Sequence, residues 1–160
     1  MKKLRCGFVG GGTIMRVHAE ALSKRQDVDM VAVAEVAEPV LAQSTDMFNI
    51  PGRYHDLEDM FHNEALDFAI ICVPNAFHAA ATLAALNADC HVLCEKPPAM
   101  NVAEAKTMAA TAEKHNLRLA YGLHMRFTPQ VETAHRYLAA GRLGDVYHAS
   151  THWLRRRGND

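Results

Sequence analysis

The chain has 160 residues, 49% of them apolar, enough for one cooperative core that buries roughly two-thirds of the unfolded surface. Its 17 basic and 18 acidic residues nearly cancel, so no net field draws it toward nucleic acid or an anionic membrane. Cys6, Cys72, Cys90 and Cys94 fall in or beside apolar runs without a C-x-x-C pair, which argues against a disulfide framework or a zinc knuckle and for a reducing, cytoplasmic setting.

At the N-terminus, Lys2 and Lys3 precede an apolar stretch, and Ala19-Glu20-Ala21 resembles a cleavage site. Three glycines, Arg16 and His18 interrupt that stretch, which argues against a secretory leader. No segment approaches the roughly 20 apolar residues that span a bilayer. Instead, short runs rich in Val, Ile and Phe recur between segments of helical period, as expected of strands buried on both faces of a parallel sheet. A strand over 4–10 leads to a helix over 13–25, a strand over 30–35 and a helix over 39–48. A short strand near 53–54 and a helix over 57–62 follow, then a strand over 68–73 and an Ala-rich helix over 76–86. Strands over 91–95 and 118–123 bracket a helix over 102–115, and a last helix over 129–140 ends at Gly141 before a run over 146–154. Asp56 and Asn101 stand at helix starts, the latter with Glu104 as a capping box. This content predicts a doubly wound, Rossmann-type α/β sheet.

Gly10-Gly11-Gly12-Thr13-Ile14-Met15 supplies the first two glycines of G-x-G-x-x-G between a predicted strand and a predicted helix. Gly10 would form the tight turn, Gly12 would let the backbone approach a pyrophosphate, and Thr13 and Ile14 would open the helix beside it. Met15 takes the third glycine position, which predicts a helix shifted outward from the sheet. Glu35 ends the second strand, where a carboxylate accepts from the adenosine ribose and repels a 2′-phosphate. With no arginine close behind it, NAD is favoured over NADP.

Further on, FAIICVPNAFHAAATLAALNADCHVLCEKPPAM combines P-N-x-x-H and E-K-P patterns. Together with the glycine loop and His18, Glu35, Arg126-Phe127 with Pro129, and Gly141-x-x-Gly144, these residues resemble the Gfo/Idh/MocA family of glucose-fructose oxidoreductase and inositol dehydrogenase type. The resemblance runs over the whole chain. It implies that Lys96 is the acid/base at the reacting hydroxyl or carbonyl, and burial beside the nicotinamide would favour its neutral form. The cofactor would be met by Gly10, Gly12, Thr13, Ile14, Glu35, Val73, Pro74, Asn75, His78, Glu95, Lys96 and Arg126. Pro97 would turn Glu95 and Lys96 toward it, through a bond that admits the cis form. Asn75 can also be read as a helix cap.

The implied reaction is hydride transfer between NAD and a hydroxyl-bearing carbon of a sugar, cyclitol or related polyol. The alternative is a non-catalytic dinucleotide-sensing module on the same scaffold; retention of Glu95-Lys96-Pro97 favours the enzyme. A homo-oligomer is expected, with no metal, since His148 and His152 have no third ligand nearby. The family's second domain carries a D-x-x-x-H motif, and no Asp here has a His four residues later. The division expected is a dinucleotide-binding domain over 1–122, then over 123–160 a connecting helix and the first strand of a truncated α+β substrate domain. Left alone, that strand would be an edge for self-association, with Arg155, Arg156 and Arg157 as its solvated end.

Overall fold

The computed structural model describes residues 2–152 and 154. Two compact units divide the chain, Met1–Leu123 and His124–Asp160. The first holds β1 (Leu4–Val9), α1 (Thr13–Ser23), β2 (Val28–Ala34), α2 (Glu38–Phe48), β3 (Gly52–Tyr54) and α3 (Leu57–Asn63). It continues with β4 (Phe68–Ile71), a 3-10 turn (Asn75–Phe77), α4 (His78–Asn87), β5 (His91–Cys94), α5 (Val102–Lys114) and β6 (Leu119–Tyr121). The six strands are all parallel, in the order β3-β2-β1-β4-β5-β6. The chain therefore winds outward from β1 in one direction, crosses back, and winds outward in the other, as a doubly wound sheet does.

Both faces of the sheet are covered, which is why its strands read as unbroken apolar runs. Phe8, Val33 and Ile70 face one core with Met15 and Ala19 of α1 and Leu41 of α2. Their strand neighbours Val9, Ala34 and Ile71 face the other, with Met60 of α3, Ala81 and Ala85 of α4 and Met108 of α5. Met15 is fully buried. The methionine at the third glycine position packs its side chain into the core between α1 and the sheet. The four cysteines are free, and burial pushes the Cys72 thiol up to about 12 and the Cys90 thiol to about 11.

Local signals placed the helix starts well. Asp56 Oδ1 accepts from the N–H groups of Glu58 at 2.7 Å and Asp59 at 3.2 Å. Asn101 Oδ1 accepts from Glu104 N at 3.0 Å, and the Glu104 carboxylate returns to Asn101 Nδ2 and to Met100 N. Two boundaries differ, the first for a non-local reason and the second for a local one. β2 starts at Val28, before the polar Asp29, because Leu4 of β1 pairs with Val28 and donates its N–H to Asp27 O. The Ala-rich helix begins at His78, since Phe77 N bonds Pro74 O in a tighter 3-10 turn.

The second unit contains a 3-10 turn (His124–Phe127) and α6 (Pro129–Ala139). α6 closes as Gly141 adopts φ +67, with Gly141 N bonded to Leu138 O and Arg142 N to Tyr137 O. The run over 146–154, expected as a strand, is not one at any described residue. A strand needs a neighbour to take its N–H and C=O groups, and among the described residues the second unit holds no other strand. Trp153 and Arg155, Arg156 and Arg157 lie outside the described residues.

Because Met15 is core, completing the glycine motif should harm the fold. Met15→Gly is expected to destabilise the chain by about 3–5 kcal/mol, from the lost side chain and the cost of a helical glycine, as read from urea unfolding.

Candidate functional site: a cleft at the strand ends

A cavity of about 540 Å³ opens at the carboxyl ends of β1, β2 and β4, where the strand order reverses. Gly10 and Gly12 come to it from the β1–α1 turn, Glu35 and Val36 from the end of β2, and Val73 and Pro74 from the end of β4. Ligands of open α/β sheets bind at this topological position.

The two motif glycines do different things. Gly10 has φ +94, and a Cβ there would lie 2.8 Å from the backbone carbon and oxygen of Cys72. The fold itself demands this glycine. Gly12 precedes α1 in extended conformation, and a Cβ there would meet nothing within 4 Å. The protein alone gives no reason for a glycine at that position; an approaching ligand does. No side chain caps α1, and no acidic residue stands in its first turn, so the N–H groups around the exposed Thr13 and Ile14 remain free for an anion. An open cradle, free amides and a cavity of this size fit the pyrophosphate and adenosine of a dinucleotide.

Glu35 is held by backbone. Its Oε2 accepts from Gly11 N at 2.8 Å and its Oε1 from Ala37 N at 3.0 Å. The carboxylate braces the glycine turn and the approach to α2, and each oxygen keeps a further lone pair for a hydroxyl. The sequence reading assigned only that second role. It also missed the apolar walls: Val36 and Phe77, 84% and 60% exposed, both line the cavity. The available signal was an apolar residue left unburied just beyond a strand end.

The E-K-P loop follows β5, with the Lys96–Pro97 peptide cis. Lys96 is exposed at this strand end. Glu95 does not turn outward with it. Its carboxylate accepts from His18 Nε2 at 2.9 Å and from Lys96 N at 3.1 Å. Burial alone would raise the Glu95 carboxyl, but the hydrogen bonds from His18 and the Lys96 N–H, with their charges, hold it below the usual range. Gly122 makes room for this carboxylate, since a Cβ there would stand 2.7 Å from Glu95 Oε1.

His78, expected to meet the cofactor, is 1% exposed and faces inward. Its Nδ1 lies 2.6 Å from Pro97 O and its Nε2 2.9 Å from Val73 O. Both neighbours are acceptors, so a neutral imidazole donates its one N–H to a single carbonyl, while the buried ring packs between the two loops. Asn75 is exposed and caps neither the 3-10 turn nor α4 with its side chain, so the cap reading fails. Arg126 belongs to the second unit, where it lines a shallow cavity of about 450 Å³ with Phe127, Glu132 and Arg136. Among the described residues no group of three or more His, Cys, Asp or Glu could hold a metal ion.

Residues 4–123 match the family model described as oxidoreductase family, NAD-binding Rossmann fold. The chain belongs to the Gfo/Idh/MocA family. Among relatives of this family, it is 35% identical over 156 residues to the D-glucoside 3-dehydrogenase of Escherichia coli, covering 97% of this chain and 44% of that protein. It is 30% identical to the glucose-6-phosphate 3-dehydrogenase of Bacillus subtilis, covering 96% of this chain and 42% of the relative. Its fold superposes on the scyllo-inositol dehydrogenase of Lactobacillus casei solved with NAD(H) and scyllo-inositol, with TM-score 0.85 at 27% identity, over 90% of this chain and 43% of that one. The chain thus spans less than half the length of these Gfo/Idh/MocA relatives.

The contrast between the two glycines can be measured. Gly12→Ala should leave the urea midpoint nearly unchanged while lowering NADH affinity at least about tenfold in a fluorescence titration. Gly10→Ala should lose stability itself, by about 1–3 kcal/mol or more, because the strain and clash lie within the protein.

Proposed function

We propose that this chain holds NAD in an oxidoreductase that moves hydride between the nicotinamide and a hydroxyl-bearing carbon of a sugar, cyclitol or related polyol. The observation that carries the reading is the row of groups along the strand ends. Glu35 stands at β2, the open Gly12 and free α1 amides at β1, Val73, Pro74 and Asn75 at β4, and Lys96 just past β5. A dinucleotide laid along that row would have its adenosine ribose at Glu35, its pyrophosphate at Gly12 and its nicotinamide beside Lys96. The dehydrogenase names of the relatives, acting on a glucoside, a sugar phosphate and an inositol, support the substrate class.

When bound, the nicotinamide supplies the hydride acceptor or donor. The chain's own residues bind, orient and exchange a proton. Lys96, projecting at a strand end, takes the proton from the substrate hydroxyl during oxidation and returns it to the carbonyl during reduction. Residues 1–122 form the cofactor domain in this proposal. Residues 123–160, Arg126 among them, lead into the substrate domain that the longer relatives carry. Four free thiols suit a reducing cytoplasm, and no helix among the described residues is long and apolar enough to cross a membrane. A homo-oligomeric assembly completes the proposal.

Calorimetry on the 160-residue chain tests cofactor choice. NAD or NADH should bind more tightly than NADP or NADPH, and Glu35→Ala should weaken NAD about tenfold while narrowing that difference. Equal or tighter NADP binding by the unaltered chain overturns the Glu35 assignment.

In the enzyme assembled with its substrate domain, Lys96→Ala should lower turnover by roughly two to four orders of magnitude, with a much smaller change in NADH affinity. Near-normal turnover would remove Lys96 from the proton-transfer role.

A further inference from the structure

The carboxylate of Glu95 is enclosed on three sides, by elements far apart in sequence. His18 of α1 donates to Oε1 at 2.9 Å, across 77 residues, with side-chain exposures of 22% and 13% for the pair. Lys96 N donates to Oε2 at 3.1 Å. Gly122, just beyond β6, leaves no room for a side chain beside Oε1. The backbone on either side is anchored in the sheet, with Glu95 N bonded to Ile71 O at 3.1 Å and Gly122 N to Cys94 O at 2.9 Å. The carboxylate is therefore the movable member, and its partners decide where it rests. An exposed pair of this type would be worth little, but removing one partner from a largely buried carboxylate leaves a charge that must find another.

We propose that His18 is a positioning residue: by donating to Glu95 it fixes the Lys96 backbone and ties α1 to the loop that carries the lysine. This rests on the dinucleotide reading above, because α1 is the helix whose N-terminus receives the pyrophosphate. α1 is anchored in the core through Met15 and Ala19, so loss of the His18 bond frees the lysine loop, beside the nicotinamide half of the cofactor, and leaves the pyrophosphate helix in place. The adenine half is held independently, through Glu35, Gly11 and the Gly10 N–H bond to Ala34 O.

The test uses the ¹⁵N-labelled 160-residue chain in four forms: unaltered, His18→Leu, His18→Gln and Gly122→Ala. Binding of NADH and of ADP, the probe for the adenine half, is titrated beside the backbone amide resonance of Lys96. His18→Leu should move the Lys96 amide and weaken NADH on the order of tenfold, with ADP affinity held within about twofold. His18→Gln, whose amide still donates, should recover most of the NADH affinity and return the Lys96 resonance toward its original position. Gly122→Ala displaces the carboxylate without altering His18 and should reproduce His18→Leu. Equal losses of ADP and NADH would show a tether that serves only stability and would overturn the proposal. An unmoved Lys96 amide in both His18→Leu and Gly122→Ala would overturn it as well. If the unaltered chain bound neither NADH nor ADP, the dinucleotide reading would fail. The Lys96 resonance in the same variants would still decide whether His18 sets that backbone.

Discussion

Gly10 is pressed against the Cys72–Val73 peptide at positive φ, and no side chain fits there. That close approach lets β1 end between β2 and β4 and lets the chain turn straight into α1. The cleft exists because the chain leaves β1 at this point and the sheet winds away from it on both sides. Helix α1 then stands over the reversal with its free N–H groups facing outward, and its dipole adds to the attraction for an anion. Moving Gly10 would displace the amides, Gly11 and, through it, the Glu35 carboxylate.

Two carboxylates organise the cleft in the same way. Glu35 ends β2 and holds the N–H groups of Gly11 and Ala37. Glu95 follows β5 and holds His18 and the Lys96 N–H. Each is partly buried and each is satisfied by donors, so neither pays the full cost of an unpaired buried charge. In both cases an acidic residue that invites a ligand-facing reading also shapes the loop beside it. Loops at strand ends have few apolar contacts of their own, and carboxylate bonds to backbone N–H groups supply the rigidity that a binding site requires.

His78 adds a third connection from inside the sheet. It sits beneath the loops after β4 and β5, with Val73 O and Pro97 O beside its two nitrogens. The P-N-x-x-H and E-K-P patterns, which look like two separate motifs in the chain, are thus joined through one buried ring. A residue can therefore belong to a recognisable pattern and still face inward.

The sequence by itself determined what depends on local chemistry. Alternating buried strands and helices were legible from apolar runs, the starts of α3 and α5 from Asp56 and Asn101, and the cleft's location from Gly10, Gly12 and Glu35 at their spacing. Each of these signals acts within a turn or a single β-α unit, so neighbouring residues are enough to reveal it. Only the tertiary structure decided the rest. β2 begins at Val28 because β1 lies beside it, and 146–152 form no strand because the second unit offers none to pair with. Met15 becomes core, Glu35 reaches back 24 residues to Gly11, and Gly122 yields its side-chain space to Glu95. All of these depend on strand order and register, which bring distant residues within a few ångströms. A hydrogen bond or a steric contact exists only once that order has set the distance.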